Sequence, residues 1–291
     1  MMRYESLKII EQDLRKISDM LLLNGTLTEC PGLVHGKIGI AIFFFHYAKL
    51  TGNELFADYA MDLIGEMLEQ IHVNSPADYE RGIASIGVGI DYLIRNDFLN
   101  VEYDVCEDFD QRMVRAVMYE PWLDFSQYNG LIGYGRYWIT RLHNKVSSMQ
   151  ARKCLLYIIT LIEEKMSDIS IKEQTDVYCF LYDLQGISGF NDLEMRIIAS
   201  LQELDLQSAD VTRSFSRLGY SSVGNIARMF QQSRYFKPKQ QVEINAALTQ
   251  IPDLDMEKTP ASTGLLTGYA GEGMLRLTVI EPSNIEWMNL L

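Results

Sequence analysis

The chain has 291 residues, nearly half of them hydrophobic, and carries 39 acidic against 26 basic side chains for a net charge of -13. That length suits one large domain or two ordinary ones, and the apolar fraction is enough for a well-buried core. The negative field repels nucleic acid and no Lys/Arg run offsets it, so no DNA or RNA partner is expected.

The N-terminal stretch Met1 to Leu23 mixes Arg3, Glu5, Glu11, Asp13 and Asp19 with apolar residues, so it reads as an amphipathic helix and not as a signal peptide. Its Leu7, Ile10, Leu14, Ile17 and Leu21 recur at helical spacing, as an outer helix preceding the first motif would. The motif is Gly32-Leu33-Val34-His35-Gly36-Lys37-Ile38-Gly39, and it opens a run, Ile40 to Leu50, that is apolar around its whole circumference. Such a helix is buried on all sides. Even so, the Ile38–Ala48 stretch is broken by His46 and is far too short to span a bilayer. Thr51-Gly52-Asn53 ends it with a left-handed cap. Leu55, Phe56, Tyr59, Ala60, Leu63, Ile64, Met67, Leu68 and Ile71 then alternate with Asp58, Asp62, Glu66 and Glu69 as an amphipathic helix, completing an inner–outer hairpin.

Five further glycine-marked segments follow, starting at Gly82, Gly130, Gly186, Gly219 and Gly264, with the first glycines 50, 48, 56, 33 and 45 residues apart. That period implies one helical pair per repeat, stacked on its neighbours. Gly89 to Leu99 and Gly135 to Leu142 read as inner helices, and Ser148 to Met166, Asp192 to Leu206 and Lys239 to Ile251 as outer ones. The stretch Ala209 to Gln232 is the least regular and reads as a loop or lid. No period-two alternation appears, so the class is all-α. Inner helices that are apolar on every face favour closure over an open solenoid. The expected architecture is therefore a single α/α toroid over 1–291, built from about six to seven inner–outer hairpins. Cys30, Cys106, Cys154 and Cys179 are scattered and read as reduced, mostly buried thiols in a soluble cytoplasmic protein.

At these residues the chain resembles the lanthionine synthetase C-like (LanC-like) family. Gly32 to Gly52, with Phe43-Phe44-Phe45, resembles that family's opening Gly-Leu-x-x-Gly-x-x-Gly block, and Thr263 to Leu277 its closing Gly-Leu-x-x-Gly-x-Ala-Gly block. The resemblance implies an α/α toroid that takes part in maturing modified peptides. Active members join cysteine thiols to dehydrated serine or threonine, using zinc held by a Cys in a late Trp-Cys-x-Gly-type turn and a Cys-His pair in a later turn. Here the late turns read Leu218-Gly219-Tyr220-Ser221-Ser222 and Leu265-Leu266-Thr267-Gly268-Tyr269, and no Cys or His lies beyond Cys179. No zinc ligand is carried over, and no cofactor is expected.

If the ring closes, its turns and helix N-termini meet at one mouth, which makes a ligand site by geometry. Candidate lining residues are His35, Lys37, Asp124, Tyr128, Arg136, Asp183, Tyr220, Tyr269 and Glu272. His35 has the chemistry of an acid–base group or a metal ligand, against a plain hydrogen-bonded mouth residue. Lys37 could hold a carboxylate, against a solvated charge. Glu272 could be a general base or a ligand for a basic peptide, against a favourable charge at a helix N-terminus. Tyr134, Tyr220 and Tyr269 recur at turns, as packing or as a peptide-binding lining. His46 reads as a core histidine, and His72 and His143 as structural residues near helix ends. Three functions compete. The first is a zinc-free peptide-binding accessory in peptide maturation, whose partners are a precursor peptide and other maturation enzymes. The second is a thioether-forming cyclase with rearranged ligands drawn from His35, Cys30 and Cys179. The third is a carbohydrate-active α/α barrel with paired carboxylates.

Overall fold

The computed structural model describes residues 2–122, 124–144, 148–185, 187, 190, 195, 197–199, 218, 221–236, 241–251, 254 and 262–291. The fold is all-α, with no strand among these residues. The helices are α1 (Met2–Asn24), α2 (Lys37–Thr51), α3 (Leu55–Gln70), α4 (Ile83–Arg95), α5 (Glu107–Met118), α6 (Leu131–Asn144), α7 (Met149–Lys165) and α8 (Ile171–Leu184). They are followed by α9 (Ser222–Tyr235), α10 (Gln241–Leu248), α11 (Tyr269–Ile280) and a terminal 3-10 segment, Pro282–Leu290. No helix among the described residues is long and apolar enough to cross a membrane. The chain divides into two compact units: Met1–His72 with Asn96–Phe98 and Leu218–Leu291, and Val73–Arg95 with Leu99–Arg217.

In the first unit α2 is buried from Lys37 through Ala48, as a helix without a polar face must be. Gly52 closes it at φ 67°, a left-handed angle open to glycine, and its N–H donates to the Ala48 carbonyl at 2.8 Å. The turn delivers α3 antiparallel onto α2, where Phe44 stacks on Phe56 and meets Tyr59 edge-on. Burying a side chain of this size contributes about 1.5–3 kcal/mol. α11 packs on α2 and, more extensively, on α1. The helix expected to introduce the first hairpin is thus the outer partner of the last glycine-led helix. After α11 the chain folds back, and the buried Trp287 indole donates to Thr278 Oγ1 at 3.0 Å. The stretch read as a loop or lid holds α9 from Ser222 onward, capped by Ser221 Oγ, which accepts from the Gly224 N–H at 3.0 Å. Buried Arg228, Gln231 and Ser233 break its apolar period, which is why the pattern concealed a helix.

The second unit packs α6 against α4, α7 and α8, while α5 lies on α4, α6 and α7. α4 and α6 begin at Ile83 and Leu131, earlier than the spans read from Gly89 and Gly135. α7 matches the expected outer helix and is capped by Ser148. α8 lies where the repeat pattern marked no helix: it starts on a Ser170–Glu173 capping box and ends at Leu184, ahead of Gly186. The outer helix expected over Asp192 to Leu206 falls almost wholly outside the described residues.

One turn geometry introduces four of the helices. The N–H groups of Lys37, Ile83, Leu131 and Tyr269 donate to the carbonyls of Cys30, Pro76, Asp124 and Ser262, seven residues back in each case, at 2.8–3.0 Å. The residue before each donor is Gly36, Gly82, Gly130 or Gly268, and a Cβ there would run into that same accepting peptide. The glycine is needed for this close approach. Within the helices, a second contact recurs. A Cβ on Gly87 would overlap the Tyr137 ring, one on Gly135 the Phe180 ring, and one on Gly273 the Phe43 ring. In each pair the glycine lies five residues past its turn glycine, and Tyr137 and Phe43 each lie seven residues past the turn glycine of their own helix. With Ser170 and Ser221 capping α8 and α9, the residues that precede these six helices are Gly36, Gly82, Gly130, Ser170, Ser221 and Gly268, spaced 46, 48, 40, 51 and 47 residues.

Candidate functional site

The candidate residues divide between the two units. In the first unit the opening and closing turns touch. The Leu266 N–H donates to the Val34 carbonyl at 3.2 Å, Gly264 packs on the His35 backbone, and the Thr28 and Thr263 hydroxyls share a 3.0 Å hydrogen bond. His35, which is half-buried, and Tyr269, which is buried, therefore sit on adjoining turns. Lys37 and Glu272 are turned to other work. Lys37 is only 2 % exposed, and its Nζ lies 2.6 Å from Glu66 Oε2 on α3, so its charge is neither solvated nor directed at a mouth. Glu272 Oε2 lies 2.8 Å from Arg276 Nη1, and the buried Arg276 also donates to Asp13 Oδ2 of α1 at 3.1 Å. The Glu272 carboxylate is thus part of an ion-pair cluster that joins α11 to α1.

In the second unit the Tyr79 and Glu80 N–H groups both donate to the Tyr128 carbonyl, at 2.8 and 3.0 Å, and the Tyr79 and Tyr128 rings stack at 6.4 Å. The Arg136 guanidinium lies 4.5 Å from the Tyr79 ring centroid. Burial pushes the Tyr79 phenol up. Arg136 opposes that shift and the Asp183 charge adds to it. Tyr128, Arg136 and Asp183 are therefore gathered around Tyr79, a residue that no sequence motif had marked. Asp124 is occupied locally: its Oδ1 accepts from the Ser126 N–H at 2.7 Å, and its backbone carbonyl receives Leu131. Turn three also leans on α8, where Glu173 accepts from the Phe125 N–H at 2.9 Å and Asp176 from the Gln127 N–H at 2.8 Å. Burial opposes ionisation of Glu173, but the bonds from Ser170 and Phe125 bring its carboxyl below the ordinary value. Tyr220 lies outside the described residues.

Histidines and thiols follow their burial. His46 sits in α2 with its ring edge-on to Phe98 at 4.8 Å, and burial, with Lys49 nearby, lowers its pKa to about 4. The neutral form is favoured on folding, so the stability it brings is complete above pH 6.5 and is lost as pH falls toward 4. A His46→Leu variant should lack this component, on the order of 3 kcal/mol between pH 7 and pH 4, in urea titrations across that range. His72 and His143 are exposed near helix ends. None of the four cysteines is in a disulfide. Burial pushes Cys106 and Cys154 up to about 12, so both are thiols at neutral pH. Ellman's reagent should react with half-buried Cys30 in the folded protein, and with Cys106 and Cys154 only after denaturation.

Among the described residues no group of three or more His, Cys, Asp or Glu side chains is placed to hold a metal ion. The late turns do not fit zinc. Ser221 offers a hydroxyl that already caps α9, and Leu265 through Tyr269 present neither thiolate nor imidazole. Two charged clusters escaped sequence reasoning because their members are far apart in the chain: Asp13–Arg276–Glu272, and Arg141 with Asp104 and Asp110. In the second, Arg141 Nη2 reaches Asp104 Oδ2 at 2.6 Å and Asp110 Oδ2 at 2.7 Å, and the Tyr137 hydroxyl donates to Asp110 at 2.6 Å. No protein-family model matches the chain, and no curated protein matches it.

Proposed function

We propose that the chain is a LanC-like α/α toroid that binds a peptide during peptide maturation, in the cytoplasm, without zinc and without covalent chemistry of its own. The observation that carries this reading is the turn-and-ring register. Gly273 of α11 meets Phe43 of α2 in the same register as Gly87 of α4 meets Tyr137 of α6. A last repeat that contacts the first as consecutive repeats contact one another is what closure of a ring requires. The acidic surface, with its net charge of -13, favours a basic peptide. The late turns' hydroxyl and apolar side chains supply no thiol-activating metal, which favours the accessory role over cyclisation.

Two measurements test this. Metal analysis of the purified protein should find zinc well below one ion per chain. Fluorescence anisotropy with a labelled Lys/Arg-rich peptide containing cysteine and serine should show saturable binding that weakens as salt rises. Stoichiometric zinc that disappears in His35→Ala or Cys30→Ala would replace the accessory reading with the cyclase. Failure to bind basic peptides would remove the partner class.

A further inference from the structure

We propose that α1 is a latch, and that its seam with α11 is the joint at which the first unit opens. In α2 and α3, another packed pair of this unit, the partners are tied by the short link Gly52-Asn53-Glu54. α1 and α11 have no such tie: Asp13 and Arg276 are 263 residues apart and meet through their side chains. The contacts run antiparallel, Asp13 to Arg276 at 3.1 Å and Ile17 beside Gly273. Asp13 Oδ2 also receives the Leu254 N–H at 3.1 Å, so one carboxylate fastens α11 and the segment before it. Leu14, Ile17 and Leu21 of α1 are almost wholly buried, Ile17 against Gly273 of α11. Separating α1 from α11 stretches no short loop and regains the entropy of a long chain segment, whereas separating α2 from α3 leaves both ends tethered. This inference uses contacts within the first unit and is independent of the peptide reading.

Hydrogen exchange followed by mass spectrometry on the full chain tests it. Peptides from α1 and α11 should exchange through one common opening, about ten-fold or more faster than peptides from α2 and α3. Asp13→Asn should accelerate α1 and α11 together, leaving α2 and α3 unchanged. Joining Leu291 to Met1 through a Gly/Ser linker should slow exchange in α1 and α11 together, a reading that needs no core substitution. Exchange in α1 alone, with α11 fully protected, would mean simple fraying and would overturn the latch. Equal exchange in all four helices would mean global unfolding and would overturn it too.

Discussion

Gly130→Ala should destabilise the protein severely, by about 3 kcal/mol or more, although it adds a single methyl group. The new Cβ would lie 2.6 Å from the Asp124 carbonyl carbon and 2.7 Å from its Oδ1, and would overlap the carbonyl oxygen itself. The carbonyl is backbone fixed by the Leu131 N–H bond, and Oδ1 is held by the Ser126 N–H, so no rotamer change relieves the clash with the carbonyl. The turn must open, and with it the seat of α6. Thermal melting followed by circular dichroism gives the answer. The matched control is Gly65→Ala on the exposed side of α3, where a Cβ meets nothing within 4 Å. There alanine's better helix propensity should raise stability by about 0.5–1 kcal/mol. If the two variants melt alike, the close-approach account of the repeated glycines is wrong.

Arg276→Ala should cost about 3–5 kcal/mol, because it removes one partner of a buried ion pair and strands the other. Asp13, with its side chain 5 % exposed, loses the guanidinium at 3.1 Å, and Glu272 loses its contact at 2.8 Å. Arg276→Met should cost less than Arg276→Ala, since it keeps the buried volume, and adding Asp13→Leu should recover part of the loss. An exposed pair, Arg115 with Glu120 at 3.2 Å, supplies the scale: Arg115→Met should cost under about 1 kcal/mol. Urea titrations of these variants separate the cases. A loss at Arg276 no larger than that at Arg115 would show the cluster to be dispensable.

Periodicity made the inner–outer alternation legible in the first hairpin, because α2 has no polar face and α3 has a clean one. It was less informative where buried residues are polar. α9 carries Arg228, Gln231 and Ser233 inward, and α8 opens on Ser170 and Glu173 instead of glycine, so the glycine pattern passed over it. Glycine marks this turn only when a backbone must pass at that point. α8 begins instead on the Ser170–Glu173 capping box, and no glycine search could find that. The candidate site fared likewise. Residue type alone could not say that Lys37 and Glu272 would be taken by Glu66 and Arg276, since both partners lie on helix faces fixed by packing. Tyr79 escaped notice because its importance comes from Arg136 and Tyr128, which lie far along the sequence.

The meeting of Asp13 with Arg276 has a consequence for biosynthesis. Asp13 of α1 is translated 263 residues ahead of Arg276. At about 5–20 residues per second, Leu14, Ile17 and Leu21 wait roughly 10–50 s with their apolar face uncovered. During that interval the nascent chain offers a greasy amphipathic rod to chaperones and to neighbouring polysomes. Slow translation of the stretch between α1 and α11 should therefore raise aggregation, and a rearranged chain in which α1 directly follows α11 should lower it.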